Sequence, residues 1–216
     1  MKPAGPGSAG VQMSTVPQGR IELGHADALV VVDVQNDFLP GGSLAVPHGD
    51  EIVPLLNQYI AAFVAAGLPV FATRDWHPVD HCSFKTQGGI WPPHCVADSA
   101  GAAFAAALAL PASATIVSKA AERDGDAYSG FAGTDLEEKL RQAGVTRVFA
   151  GGLATDYCVL NTVRDACALG FDVVLLADAV AAVNVKPGDG PGALAEMRRL
   201  GARSLVFGHL GAGRCP

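Results

Sequence analysis

Cys158 lies in Gly151-Gly152-Leu153-Ala154-Thr155-Asp156-Tyr157-Cys158-Val159, between an apolar run ending at Ala150 and an amphipathic stretch beginning at Leu160. This pattern predicts a strand, a tight turn and a helix, with the thiol at the helix start. The unpaired N–H groups and positive dipole end there favour thiolate, and can bring a cysteine pKa from ~8.5 to ~3.5–7.5. A buried core cysteine is the competing reading, and a base and a cation converging on the thiol would decide against it. Asp33 closes the apolar run Ala28–Val32, and Lys119 closes Thr115–Ser118. Strand ends of a parallel sheet meet on one rim, so an acid, an amine and a thiol can share one point. That set makes a nucleophile with a proton shuttle and a charge partner. Asp33 would take the thiol proton and later pass it to a leaving amine, while Lys119 holds Asp33 in place. The glycine-rich turn offers the N–H groups of Ala154 and Cys158 as donors to an oxyanion.

A second constellation follows the next predicted strand: Asp75-Trp76-His77-Pro78-Val79-Asp80-His81, then Trp91-Pro92-Pro93-His94. In extended chain, residues i and i+2 face one side, so Asp75 and His77 can address one ion. With His94 they form two imidazoles and a carboxylate, suited to one divalent zinc, iron or manganese ion with open positions. His81 could be a fourth ligand. A closed structural site built from His81-Cys82 and His94-Cys95 competes, but adjacent side chains point opposite ways and Asp75 and His77 would be left idle. Phe38, Trp91 and Tyr128 lie in loops near these strand ends and could sandwich a flat ring; loop packing is the alternative.

The elements that must position these residues read as an α/β pattern. Predicted strands are Ala28–Val32, Pro69–Thr73, Thr115–Ser118, Arg147–Ala150, Asp172–Leu176 and Arg203–Phe207. Predicted helices are Glu51–Ala66, Thr134–Gln142, Cys158–Leu169 and Pro191–Leu200. Continuous Val/Leu/Ile runs mean strands buried on both faces. Alternation with helices then implies a three-layer, open, mainly parallel sheet with helices on both sides, whose ligands bind beyond the carboxyl ends of the strands. About forty residues, Arg74 to Ala114, break the alternation, and long insertions of this kind are usually functional. Residues 1–24, rich in Gly, Pro, Ser and Gln, read as a disordered extension, and 25–216 as a single domain.

A net charge of −6 gives no basic footprint for nucleic acid or an acidic membrane, and points to a small-molecule partner. Five irregularly spaced cysteines favour free thiols in a reducing compartment. With no signal-peptide pattern at Met1 and no apolar run approaching ~20 residues, a soluble cytoplasmic protein is expected. Assembly is left open, a homo-oligomer being one option.

Taken together, Val32-Asp33-Val34-Gln35-Asn36-Asp37-Phe38, Thr73-Arg74-Asp75-Trp76-His77-Pro78, Trp91-Pro92-Pro93-His94-Cys95-Val96, Ser118-Lys119-Ala120, Asp126-Ala127-Tyr128-Ser129-Gly130-Phe131 and Gly152–Val159 resemble the nicotinamidase/pyrazinamidase branch of the isochorismatase-like cysteine hydrolases. The resemblance runs from about residue 27 to the C-terminus. It implies a triad of Asp33, Lys119 and Cys158, and a metal, zinc foremost, on Asp75, His77 and His94. His81 falls where some relatives use a fourth ligand. It further implies ring contacts from Phe38, Trp91 and Tyr128, a cis peptide at Leu153-Ala154, and hydrolysis of nicotinamide, and of pyrazinamide, to the acid and ammonia. Tyr157 stands where some relatives have histidine and carries no assigned role. The rivals are an amidase or ureide hydrolase on the same scaffold, a redox or metal-storage protein, and a purely structural binding module. The redox reading needs a resolving cysteine, and Cys167 is about 13 Å along a helix from Cys158.

Overall fold

The computed structural model describes residues 19–211; residues 1–18 of the expected extension, and Cys215 with the C-terminal residues 212–216, lie outside the described residues. Along the chain come β1 (Ile21–Glu22), β2 (Asp27–Val32), α1 (Val53–Ala65), β3 (Val70–Asp75), β4 (Thr115–Lys119), α2 (Leu136–Gln142), β5 (Arg147–Leu153), α3 (Leu160–Ala168), β6 (Asp172–Ala181), α4 (Asp189–Arg199), β7 (Arg203–Leu205) and β8 (Leu210–Gly211). Six strands form one sheet in the order β4-β3-β2-β5-β6-β7, every neighbouring pair parallel. β1 and β8, which the sequence pattern did not reveal, pair as a separate two-stranded ribbon.

β2 is central and wholly buried because both of its faces are apolar. Leu29 and Val31 point into a core shared with Leu56, Tyr59, Ile60 and Phe63 of α1. Ala28, Val30 and Val32 point the other way, against Leu136 and Leu140 of α2, Val163 and Ala166 of α3 and Met197 of α4. These are the three expected layers, and each buried aliphatic contributes roughly 1.5–3 kcal/mol of transfer free energy. α1 and α3 stop at glycines in left-handed geometry, Gly67 (φ +69°) and Gly170 (φ +82°). Leu68 and Phe171 then donate back to Phe63 and Ala166, closing both helix ends.

Most element ends shift by one or two residues from the sequence reading, and three of the differences have identifiable reasons. β5 continues through Gly151-Gly152, which read as a turn. Gly152 sits at φ +129°, and a Cβ there would come 2.1 Å from the Val32 carbonyl oxygen of β2. β6 runs on past Leu176 although Asp178 interrupts the apolar run. Its carboxylate accepts hydrogen bonds from the Tyr59 hydroxyl and the Phe207 N–H, both at 2.8 Å, so the charge is satisfied inside the sheet layer. The helix expected to begin at Cys158 is preceded by a wide π-helical turn, Thr155–Val159, and α3 itself begins at Leu160. The long insertion packs on the α1 side of the sheet, where Cys95, Ala102, Ala105 and Leu108 join the core of that face. No helix among the described residues is long and apolar enough to cross a membrane.

Candidate active site and metal centre

Four adjacent strands deliver four polar residues to one rim. Lys119 ends β4, Asp75 ends β3, Asp33 follows β2, and Cys158 lies beyond β5. The chain changes winding direction at β2, where a crevice opens beyond the strand ends. Asp33, Lys119 and Cys158 are 0, 1 and 6% exposed. Lys119 Nζ lies 3.1 Å from Asp33 Oδ2 and 3.6 Å from Cys158 Sγ, and donates to the Ala127 carbonyl at 3.1 Å. The Thr73 hydroxyl donates to Asp33 Oδ1 at 2.7 Å, which leaves Oδ2 facing the ammonium and the thiol. The structure thus brings the three predicted residues together.

Their electrostatics correct one expectation. Burial pushes the Cys158 thiol well up, Lys119 opposes this, and Asp33 and Asp75 add to it. Burial and two nearby carboxylates, none of them visible in the local sequence, act against the helix start. The resting sulfur therefore keeps its proton until a base removes it. Burial also raises Asp33 above the usual carboxylate range, with Lys119 opposing. Burial alone would lower Lys119, but Asp33 and Asp75 outweigh it and keep the ammonium charged.

Asp75 links this group to a second one. β3 and β4 pair Asp75 with Lys119 in register, so their side chains form an ion pair on one face. Lys119 and His77 together overcome burial and hold the Asp75 carboxyl below the usual range. Its other oxygen, Oδ2, lies 3.7 Å from His77 Nε2. Side-chain ligand atoms of Asp75, His77 and His94 all fall within 4.8 Å of one another. Bonds of ~2.1 Å to a tetrahedral ion need separations of ~3.4 Å, which small side-chain movements supply.

The donor chemistry fits a metal. His77 Nδ1 is 3.0 Å from the Ala120 carbonyl and His94 Nδ1 is 2.8 Å from the Pro92 carbonyl. A carbonyl only accepts, so each Nδ1 carries the proton and each Nε2 keeps a lone pair for an ion. Burial lowers the His94 pKa and keeps that ring neutral.

His81 is not brought into the ligand group. The Ser83 N–H donates to its Nδ1 at 3.3 Å, and its Nε2 lies 3.2 Å from the Gly125 carbonyl, so both nitrogens are engaged. Its ring stacks on His77 instead, centroid to centroid 4.2 Å. Neither Cys82 nor Cys95 joins the ligand group among the described residues, which removes the closed His/Cys site.

Above both groups opens a cleft of about 520 Å³, counting its mouth, lined by Phe38, Trp91, Tyr128, Ala154, Cys158 and the three metal-ligand candidates. Trp91 Nε1 donates to the Tyr128 hydroxyl at 3.0 Å, and Phe38 leans on His94 with ring centroids 5.8 Å apart. The peptide between Leu153 and Ala154 is cis, at the position the resemblance implies. Sequence reasoning left Tyr157 without a part. Its ring nevertheless lines the cleft, 5.3 Å from Trp91 and 5.6 Å from Tyr128. Leu44, Val46 and Val183 also reach the cleft, from segments whose sequence carries no chemical signal.

Residues 27–205 match the sequence profile of the isochorismatase domain. The nicotinamidase of Escherichia coli is 39% identical over 196 residues, spanning 81% of this chain and 92% of that protein. The crystal structure of a pyrazinamidase of Pyrococcus horikoshii in complex with zinc is 51% identical, with a TM-score of 0.81 over 84% of this chain and 99% of its own. PnC1 from L. infantum, solved in complex with nicotinate, is 37% identical with a TM-score of 0.80, over 89% of this chain and 98% of its own.

Proposed function

The chain belongs to the isochorismatase family, and from that premise we propose that it hydrolyses nicotinamide, and pyrazinamide, to the carboxylic acid and ammonia. The observation that carries the proposal is the juxtaposition of two groups through Asp75: a buried Asp33–Lys119–Cys158 cluster and a three-ligand metal site opening into one aromatic cleft.

Asp33 takes the Cys158 proton as the sulfur attacks the amide carbon. Lys119, ion-paired to Asp33 and 3.6 Å from the sulfur, stabilises the charge that moves between them. The N–H groups of Ala154 and Cys158 receive the oxyanion. Asp33 then gives its proton to the amide nitrogen, the C–N bond breaks, and ammonia leaves a thioester on Cys158. Asp33 next deprotonates a water that attacks the thioester. The C–S bond breaks, the acid departs and the sulfur regains the proton.

Asp75, His77 and His94 hold one divalent ion, zinc, which supplies a Lewis-acidic anchor for the ring nitrogen. Phe38, Trp91 and Tyr128 flank the ring, and fixed orientation of this kind lowers the barrier. Four free cysteines among the described residues agree with a cytoplasmic location.

Chromatographic measurement of nicotinate formed by the wild type and by Cys158→Ala tests the assignment. The variant is expected to lose turnover by at least ~10³-fold while its zinc content stays that of the wild type. Near-normal turnover would remove Cys158 from the chemistry.

A further inference from the structure

The three metal-ligand candidates come from two segments with little regular structure between them, yet they meet within 4.8 Å. Side chains of one short loop, Gln35 to Phe38, touch both segments. Gln35 is fully buried, and its amide clamps the backbone of Asp75. Oε1 accepts the Asp75 N–H at 2.8 Å and Nε2 donates to the Asp75 carbonyl at 2.8 Å. The same Nε2 donates to the Ala102 carbonyl at 2.9 Å.

Two residues on, Asp37 Oδ2 accepts the Cys95 N–H at 2.7 Å, and Oδ1 accepts the Ser43 N–H at 3.2 Å. Cys95 is the joint of the metal centre. It follows His94 directly, and its carbonyl accepts the His77 N–H at 3.0 Å. It also sits at φ +44°, a conformation that a non-glycine residue keeps only with support. The insertion is seated closely on Asp37 elsewhere too. A Cβ on Gly101 would come 2.1 Å from the Asp37 carboxylate, and the Gly101 carbonyl accepts the Asp37 N–H at 3.0 Å.

We propose that Gln35 and Asp37 are positioning residues of the metal centre: Gln35 fixes Asp75, and Asp37, through the Cys95 peptide, fixes His77 and His94. The inference rests on the metal reading given under the proposed function. It assigns work to two side chains that touch neither substrate nor ion, and it explains why one loop beside the base Asp33 also governs the ring anchor. Groups that orient ligands from behind alter affinity by about 10–100-fold when removed.

The test is the zinc dissociation constant, measured against a competing chelator, together with thermal unfolding of the metal-free protein. Gln35→Ala and Asp37→Ala are expected to weaken zinc by about 10–100-fold while still folding. Asp37→Asn, which keeps one acceptor oxygen for Cys95, is expected to stay within a few-fold of wild type. Gln35→Met, which keeps the buried volume but makes neither bond to Asp75, serves if Gln35→Ala does not fold, with the same loss of zinc affinity expected. A merely structural role would lower the unfolding temperature and leave zinc affinity unchanged, and that result overturns the proposal. Wild-type protein that takes up no zinc would remove the metal reading itself, and this inference with it.

Discussion

At the scale of single residues, the account turns on which group holds the mobile proton. Burial raises both Cys158 and Asp33, and Lys119, close to each, opposes both shifts. Asp33 works as a base only when ionised. Because its folded pKa lies above the usual carboxylate value, kcat/KM should fall on acidification at a pH higher than an ordinary aspartate would give. A pH–rate profile checks this, and an acid limb at or below the ordinary carboxylate value would contradict it. The sequence revealed Asp33, Lys119 and Cys158 because each ends or follows a strand. It did not reveal that Asp75 serves both groups, because that depends on β3 and β4 pairing Asp75 with Lys119 in register. Nor could it give the thiol its environment: the helix-start argument counts only the helix, and the burial and two carboxylates come from other strands. His81 shows the same limit. Its spacing suits a ligand, but Ser83 and Gly125 occupy its nitrogens.

At the scale of elements, β2 and β5 set the site. Gly151-Gly152 carry two signals that sequence alone cannot separate, a turn and a close approach of backbones. The structure places Gly152 against Val32, with no room for a Cβ. Gly152→Ala should therefore destabilise the fold by roughly 3 kcal/mol or more. For a chain of this size that lowers Tm by roughly 6–12 °C, and an unchanged Tm in calorimetry would refute the close approach. Strands with uninterrupted Val and Leu runs were legible because burial on both faces leaves no alternation. The sequence reading ends β6 at Leu176, where the uninterrupted Val/Leu run gives way to Ala177 and Asp178. Only the fold supplies Tyr59 and Phe207 to satisfy it. The same holds for the wide turn at Thr155–Val159, which brings the neighbours Tyr157 and Cys158 to the same cleft.

At the scale of the whole molecule, a parallel sheet puts every strand's carboxyl end on one rim, and the insertion between β3 and β4 covers that rim with metal ligands and aromatic walls. Three strands bring Asp33, Lys119 and Cys158, the end of β3 and the insertion after it bring the metal ligands, and Asp75 joins the two groups. The most direct test is ammonia release from nicotinamide by the purified protein before and after exhaustive chelation, with zinc then restored. The account predicts release that fades as the metal is withdrawn and returns when zinc is added back. Zinc-loaded, folded protein that releases no ammonia from nicotinamide would contradict it.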